Sequence, residues 1–261
     1  YQPKVDLNTG RIVGVEALIR WRRGNDEIIN PADFIPMAED TGLIVEIGDW
    51  VLAQACADLG EIMGKGYGIK MSVNLSPRQF RQEDLLGKIQ ATLAATGIGP
   101  EGLIFEITEG SVMENEQKAI VLLGELKGMG AGISIDDFGT GYSSLYYLKQ
   151  LPIGELKIDR RFVRDIMGHA DNMAIVAAII AMGKSLNLRV VGEGVETAEQ
   201  LCFLRGHGCD EMQGFLFSKP VAKEALLKML ASDERLDVAA YGNSQQQPLP
   251  FVAKAQVGME M

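Results

Sequence analysis

The chain has 261 residues, 47% of them hydrophobic, and a formal net charge of −10. That length can bury a substantial core in one large domain, and the acidic excess argues against binding long nucleic acid, which needs many basic phosphate contacts. No run of about 18 apolar residues or signal peptide is visible, and Cys56, Cys202 and Cys209 form no CxxC pair, so a reducing, cytoplasmic setting without structural zinc or disulfides is expected.

The chain opens at Tyr1, inside a strand-like segment and without an initiating Met, and reads as a piece of a longer protein. Residues 4–7 and 11–19 read as strands joined by the tight-turn signal Asn8-Thr9-Gly10, hence an antiparallel hairpin. Asn30 caps a helix with Pro31 in its first turn. Residues 43–63 carry helical apolar spacing, and residues 70–75 form a third strand. Ser76 and Gln79 make a capping box with Pro77 inside the start. Residues 82–96 are helical and end at Gly97.

A strand–helix rhythm follows. Residues 103–107, 132–135, 155–158, 189–192 and 212–215 read as strands, and helical segments at 114–127, 173–187, 197–206 and 222–230 separate most of them. Thr197 and Gln200 make a second capping box. Eight strands with such crossovers predict an α/β fold, a (β/α)8 TIM-like barrel over residues 1–231, with one antiparallel strand from the N-terminal hairpin. A doubly wound open sheet is the competing architecture. Beyond residue 231 the pattern fades, and a mobile tail is expected over 232–261.

Oxygen-bearing side chains recur where these strands end: Glu16, Asn74, Glu106, the pair Asp136-Asp137, Glu193 and Gln213. Singly, each could be a helix cap or a surface carboxylate; the set is the signal. Active sites of such barrels lie at the carboxyl ends of the strands. Carboxylates gathered there repel one another, and hard divalent cations relieve the repulsion. Oxygen-only ligands favour Mg²⁺ or Mn²⁺ over zinc, and an adjacent Asp pair suits a two-metal site for attack on a phosphodiester. Asp137 to Ser144 is a Gly-rich loop without the Gly-Lys-Ser/Thr of a P-loop; it either admits an anion to its backbone amides or is a plain capped turn. Alternation puts Lys157 and Asp159 on one strand face. Lys157 then either steadies water and phosphate charge or forms a buried ion pair with Asp137 or Asp159. Arg20, four residues after Glu16, shares its face on the strand and is a candidate for phosphate contact or a surface ion pair.

The stretches Glu16-Ala17-Leu18-Ile19-Arg20, Ser72 to Ser76, Phe105 to Glu109, Asp136 to Leu145, Leu156 to Asp159, Glu193 to Thr197 and Gln213-Gly214-Phe215 together resemble the EAL domain, the phosphodiesterase of bacterial cyclic di-GMP signalling. The resemblance implies a barrel with one antiparallel strand and hydrolysis of cyclic di-GMP to linear pGpG by in-line attack of a metal-activated water. It implies Mg²⁺ or Mn²⁺ as cofactor, two ions in number, with Ca²⁺ inhibitory. By position, Glu16, Asn74, Glu106, Asp136, Asp137 and Glu193 correspond to metal ligands, and Lys157, with Glu16, Glu193 and Gln213, to the catalytic set. Arg20, Asp159 and Gln213 are the implied substrate contacts, and Glu109, Glu196, Gly139 and Gly141 the implied supports of the Gly-rich loop. A homodimer through that loop, and sensory or regulatory domains elsewhere in the full-length protein, complete the expectation. The rival readings are a receptor that binds the dinucleotide without cutting it and an enolase-like Mg²⁺ enzyme.

Overall fold

Period-two alternation along the strands sends one set of residues outward to the helices and the other into a lumen. The computed structural model describes residues 1–24, 27–140 and 145–240. Its strands are β1 (Gln2–Asp6), β2 (Ile12–Ala17), β3 (Trp21–Arg23), β4 (Glu27–Ile29), β5 (Lys70–Asn74), β6 (Leu103–Thr108), β7 (Gly132–Phe138), β8 (Glu155–Ile158), β9 (Arg189–Glu193) and β10 (Glu211–Gln213). Eight of them close a barrel in the order β1-β10-β9-β8-β7-β6-β5-β2. β1 runs antiparallel to both β2 and β10, and the other neighbours are parallel. This is the expected barrel with its single reversed strand, and the open sheet is excluded.

Local chemistry explains the reversal. Asp6 Oδ1 accepts from the Asn8 and Thr9 amides at 3.1 and 2.7 Å, and Gly10 adopts φ 71°, so the chain turns back at once. Gly10 is also required sterically, because a Cβ there would stand 2.1 Å from the Leu236 carbonyl oxygen. Ser232 to Val238 therefore packs back on this turn: Leu236 is buried and its amide donates to Gly10 O at 2.9 Å. Residues 241–261 of the expected tail lie outside the described residues.

The outward faces form the apolar core. Val15, Met71, Phe105, Ile135, Leu156, Val190 and Met212 are at most 1% exposed and face helix residues such as Leu59, Leu123, Ile180 and Leu204. Each fully buried side chain of this kind stabilises by about 1.5–3 kcal/mol. Gly183 lets its helix approach closely, since a Cβ there would lie 2.5 Å from Val190.

Both predicted capping boxes are present, Ser76 with Gln79 and Thr197 with Gln200, and Gly97 ends its helix in the left-handed region. Two predicted helices are each preceded by a separate short one: Pro77–Phe80 before Leu85–Thr96, and Glu109–Met113 before Glu116–Met129. The β3–β4 ribbon was not foreseen, because its three-residue strands are too short to show a period. Among the described residues no helix is long and apolar enough to cross a membrane.

Candidate active site

Most inward positions of the barrel are polar, Ile104 and Val191 being apolar exceptions, whereas such lumens are commonly filled by branched apolar side chains. At the carboxyl ends of the strands, Glu16 comes from β2, Asn74 from β5, Glu106 from β6, Asp136 from β7, Lys157 from β8, Glu193 from β9 and Gln213 from β10. The Lys157 ammonium stands at their centre, fully buried. It lies 2.5 Å from Glu106 Oε2, 2.6 Å from Glu193 Oε1, 3.2 Å from Asp136 Oδ1 and 3.5 Å from Glu16 Oε2. Glu16 is held at both oxygens: Asn74 Nδ2 donates to Oε1 and Gln213 Nε2 to Oε2, each at 2.6 Å. Gln213 Nε2 also donates to Gln2 Oε1 at 3.0 Å, while its own carbonyl oxygen is buried without a partner among the described residues.

Asp137 reaches the same mouth by an irregular route. The β7–β8 register shifts between Ile135 and Phe138, and Asp137 adopts φ 54°. A non-glycine residue in the left-handed region costs of order 1 kcal/mol and is concentrated at functional sites. The shift lets two successive residues face one place: ligand oxygens of Asp136, Asp137 and Glu193 lie within 4.8 Å of one another.

The electrostatics follow from burial and charge. Burial opposes the charge of Lys157, but Asp136, Glu106, Glu16 and Glu193 hold its pKa well above the ordinary value. Burial raises Glu16 and Glu193, with neighbouring carboxylates adding to the rise, although Lys157 pulls both down. Glu106 is opposed by burial yet brought down to about 2, because Lys157 and Lys4 flank it. Burial, the Asp136 charge and the hydrogen bond to Asp159 push Asp137 up to about 6. One ammonium among five carboxyl groups cannot offset full ionisation of them all, and the oxygen ligands they and Asn74 offer form a set that fits hard divalent cations.

Other expected residues lie outside this cluster. Arg20 does not share a strand face with Glu16: β2 ends at Ala17, and Arg20 is exposed with its guanidinium donating to Ile19 O at 2.8 Å. Asp159 lies one residue past the end of β8 but stays at the mouth, buried and hydrogen-bonded to Asp137. It caps Arg160–Arg164, accepting from the Arg161 amide at 2.6 Å and from its guanidinium at 3.0–3.2 Å. Lys157 pairs with neither Asp159 nor Asp137, so the alternation argument for that pair stops at Ile158. Glu109 is buried and its Oε2 accepts from the Gly139 amide at 2.9 Å. Gly139 has φ 98°, and a Cβ there would stand 2.9 Å from the Phe162 ring. Gly141, Tyr142, Ser143 and Ser144 of the loop lie outside the described residues. Glu196 is exposed, and its amide donates to Gln200 Oε1 at 2.7 Å.

Sequence reasoning missed the layer below. Lys4 on β1 is 1% exposed, and its ammonium reaches Ser72 Oγ, Glu106 Oε1 and Glu155 Oε1. Glu155 and Glu211 are buried beside it, and Arg189 Nη1 pairs with Glu211 at 2.5 Å. Alternation was the available signal: Lys4 follows Gln2 by two residues, and Glu155 precedes Lys157 by two.

A sequence profile of the EAL domain matches residues 1–220. The bifunctional diguanylate cyclase/cyclic di-GMP phosphodiesterase MucR of Pseudomonas aeruginosa is 47% identical over 88% of this chain and 34% of its own length. The cyclic di-GMP phosphodiesterase NbdA of the same organism is 42% identical over 92% of this chain and 30% of its own. The chain thus spans about a third of these curated relatives. The structure of PaMucR phosphodiesterase in complex with c-di-GMP superposes with a TM-score of 0.85 at 47% identity, covering 87% of this chain and 92% of that one.

Proposed function

The chain belongs to the EAL domain family, and on that premise we propose that it hydrolyses cyclic di-GMP to linear pGpG with two divalent cations as cofactors. The observation that carries this reading is the convergence of Glu16, Glu106, Asp136 and Glu193 on the buried Lys157, with Asp137 alongside. The two Pseudomonas aeruginosa relatives named above, and the likeness to a cyclic di-GMP complex, support the substrate.

Glu16, Asn74, Glu106, Asp136, Asp137 and Glu193 would hold the cations, which supply Lewis-acid charge at the phosphate and lower the pKa of water. Without cations, the surrounding carboxylates favour the charged form of Lys157, which suits it as a hydrogen-bond donor. It restrains the carboxylates it touches and offers its ammonium to water and phosphate oxygen in the mouth. Gln213 holds Glu16 from one side and Asn74 from the other, and the orphaned Gln213 carbonyl is free to accept from water. Arg20 and Asp159 are the proposed substrate contacts. Glu109 ties the Gly-rich loop through Gly139, with Gly141 and Glu196 as further supports.

Mg²⁺ or Mn²⁺ is proposed as the working ion and Ca²⁺ as an inhibitor, because Ca²⁺ binds with longer and looser geometry. We also propose a cytoplasmic homodimer through the Gly-rich loop and a place within a longer signalling protein. A strict monomer by light scattering at high concentration would remove the dimer. The central test is incubation of the purified chain with cyclic di-GMP and Mg²⁺, read by product chromatography. pGpG should form, and Glu16→Ala or Lys157→Ala should abolish it. Tight binding of cyclic di-GMP without pGpG would make the chain a receptor instead.

A further inference from the structure

Lys4 is among the largest fully buried side chains of the described residues, and the site described above gives it no role. It enters the lumen from β1, the one antiparallel strand, a layer below Glu16. Its three ammonium hydrogens meet three acceptors: Ser72 Oγ at 2.7 Å, Glu155 Oε1 at 3.1 Å and Glu106 Oε1 at 3.3 Å. Its stem passes Gly14, where a Cβ would stand in ordinary contact with Lys4 Cε at 3.6 Å. Glu106 is therefore gripped at both ends. Its inner oxygen belongs to Lys4 and its outer oxygen, at 2.5 Å, to Lys157.

We infer that Lys4 is a positioning residue of the active site: by holding Glu106 Oε1 from beneath, it fixes the carboxylate so that Oε2 alone is presented to the cation-binding mouth. The inference rests on the proposed role of Glu106 as a cation ligand. A buried carboxylate with one oxygen already bonded has little freedom to turn, and such outer partners commonly set how well a ligand binds its metal. Glu155 and Ser72 anchor Lys4 in turn, so the orientation of Glu106 is transmitted from the barrel floor. A bland role for Lys4, balancing the buried charge of Glu155, predicts a loss of stability and nothing more.

Two variants separate these roles. Lys4→Met removes the grip but strands the Glu155 charge in the lumen, which endangers folding. Lys4→Met combined with Glu155→Leu removes the charge pair together and keeps the floor neutral. Glu155→Gln alone leaves Lys4 on Glu106. Mn²⁺ alone is titrated into each protein, followed by calorimetry and by the electron paramagnetic resonance signal of free Mn²⁺. Thermal unfolding is measured in parallel. The double variant is expected to fold, to bind Mn²⁺ about 10-fold more weakly than the unaltered chain, and to need correspondingly more Mn²⁺ for half-maximal hydrolysis. Glu155→Gln should stay within about 2-fold of the unaltered affinity. Unchanged Mn²⁺ affinity in the folded double variant would overturn the inference, as would an equal loss in Glu155→Gln. Failure of the underlying reading looks different: the unaltered chain would bind no Mn²⁺, or Glu106→Gln would leave its affinity intact.

Discussion

The outer and inner faces of the barrel strands share a backbone and obey opposite rules. Outward side chains such as Phe105 and Val190 are apolar and fully buried, and they pack against helices. Inward side chains one residue away, such as Glu106 and Lys157, are ionised and almost as deeply buried. The outer layer gains stability from every methylene it hides. The lumen loses solvation for each charge and recovers it only through partners. Stability thus resides in one face and the candidate chemistry in the other, so substitutions on adjacent residues should have separable effects.

The largest separation is expected at Lys157. Lys157→Met should lower the rate of cyclic di-GMP hydrolysis by about 10³-fold, the range for losing a preorganised charge-stabilising donor. Turnover within a few-fold of the unaltered chain, by product chromatography, would break the assignment of chemistry to the lumen. Phe105→Ala, on the opposite face of the residue next to Glu106, should cost about 3–5 kcal/mol in urea unfolding. Its Mn²⁺ affinity, measured where it remains folded, should be unchanged.

Glu193→Gln sharpens the contrast by moving stability and function in opposite directions. It replaces a carboxyl whose ionisation is opposed by burial and by Asp136 and Glu16. The cation-free protein should gain about 1 kcal/mol while losing hydrolysis. A lower melting temperature without cations would show that the carboxylate ring is not under repulsion.

The smallest effect is a pH dependence. Asp137 is pushed up to about 6 from an ordinary 3.8. Between those values the folded state holds more protons than the unfolded one, so this contribution to stability is lost as pH rises through about 6. The cation-free chain should melt slightly higher near pH 5.5 than near pH 7.5, and added Mg²⁺ should raise the midpoint more at the higher pH, where the carboxyls are ionised. Scanning fluorimetry reads both; a cation-independent midpoint that climbs across this interval would contradict the charge balance drawn for the mouth.

Much of this organisation was legible in the chain. The hairpin turn at Asn8 to Gly10, both capping boxes and the strand–helix rhythm are local signals, and each was read from neighbours within a few residues. The carboxylates at strand ends were legible because five or more strands repeat the feature. The reading failed where a strand stopped earlier than assumed. Arg20 was placed by alternation on a strand that ends at Ala17, and a period carries no information beyond the last paired residue; Asp159, one residue past β8, is still buried and hydrogen-bonded to Asp137. Lys4 was passed over because a lysine in an N-terminal strand looks like a solvated residue until the barrel closes around it.

Sequence alone determined which side of each strand is apolar, where the chain turns and which residue types crowd one end of the barrel, because periodicity and capping act between near neighbours. Only the tertiary structure decided that Lys157 meets four carboxylates, that Glu106 is shared by two lysines, and that Asp137 is turned inward through a left-handed backbone. Those pairings join residues up to 141 positions apart, as Lys157 and Glu16 are, and they are fixed by strand order and stagger around a closed sheet. No local pattern carries that information.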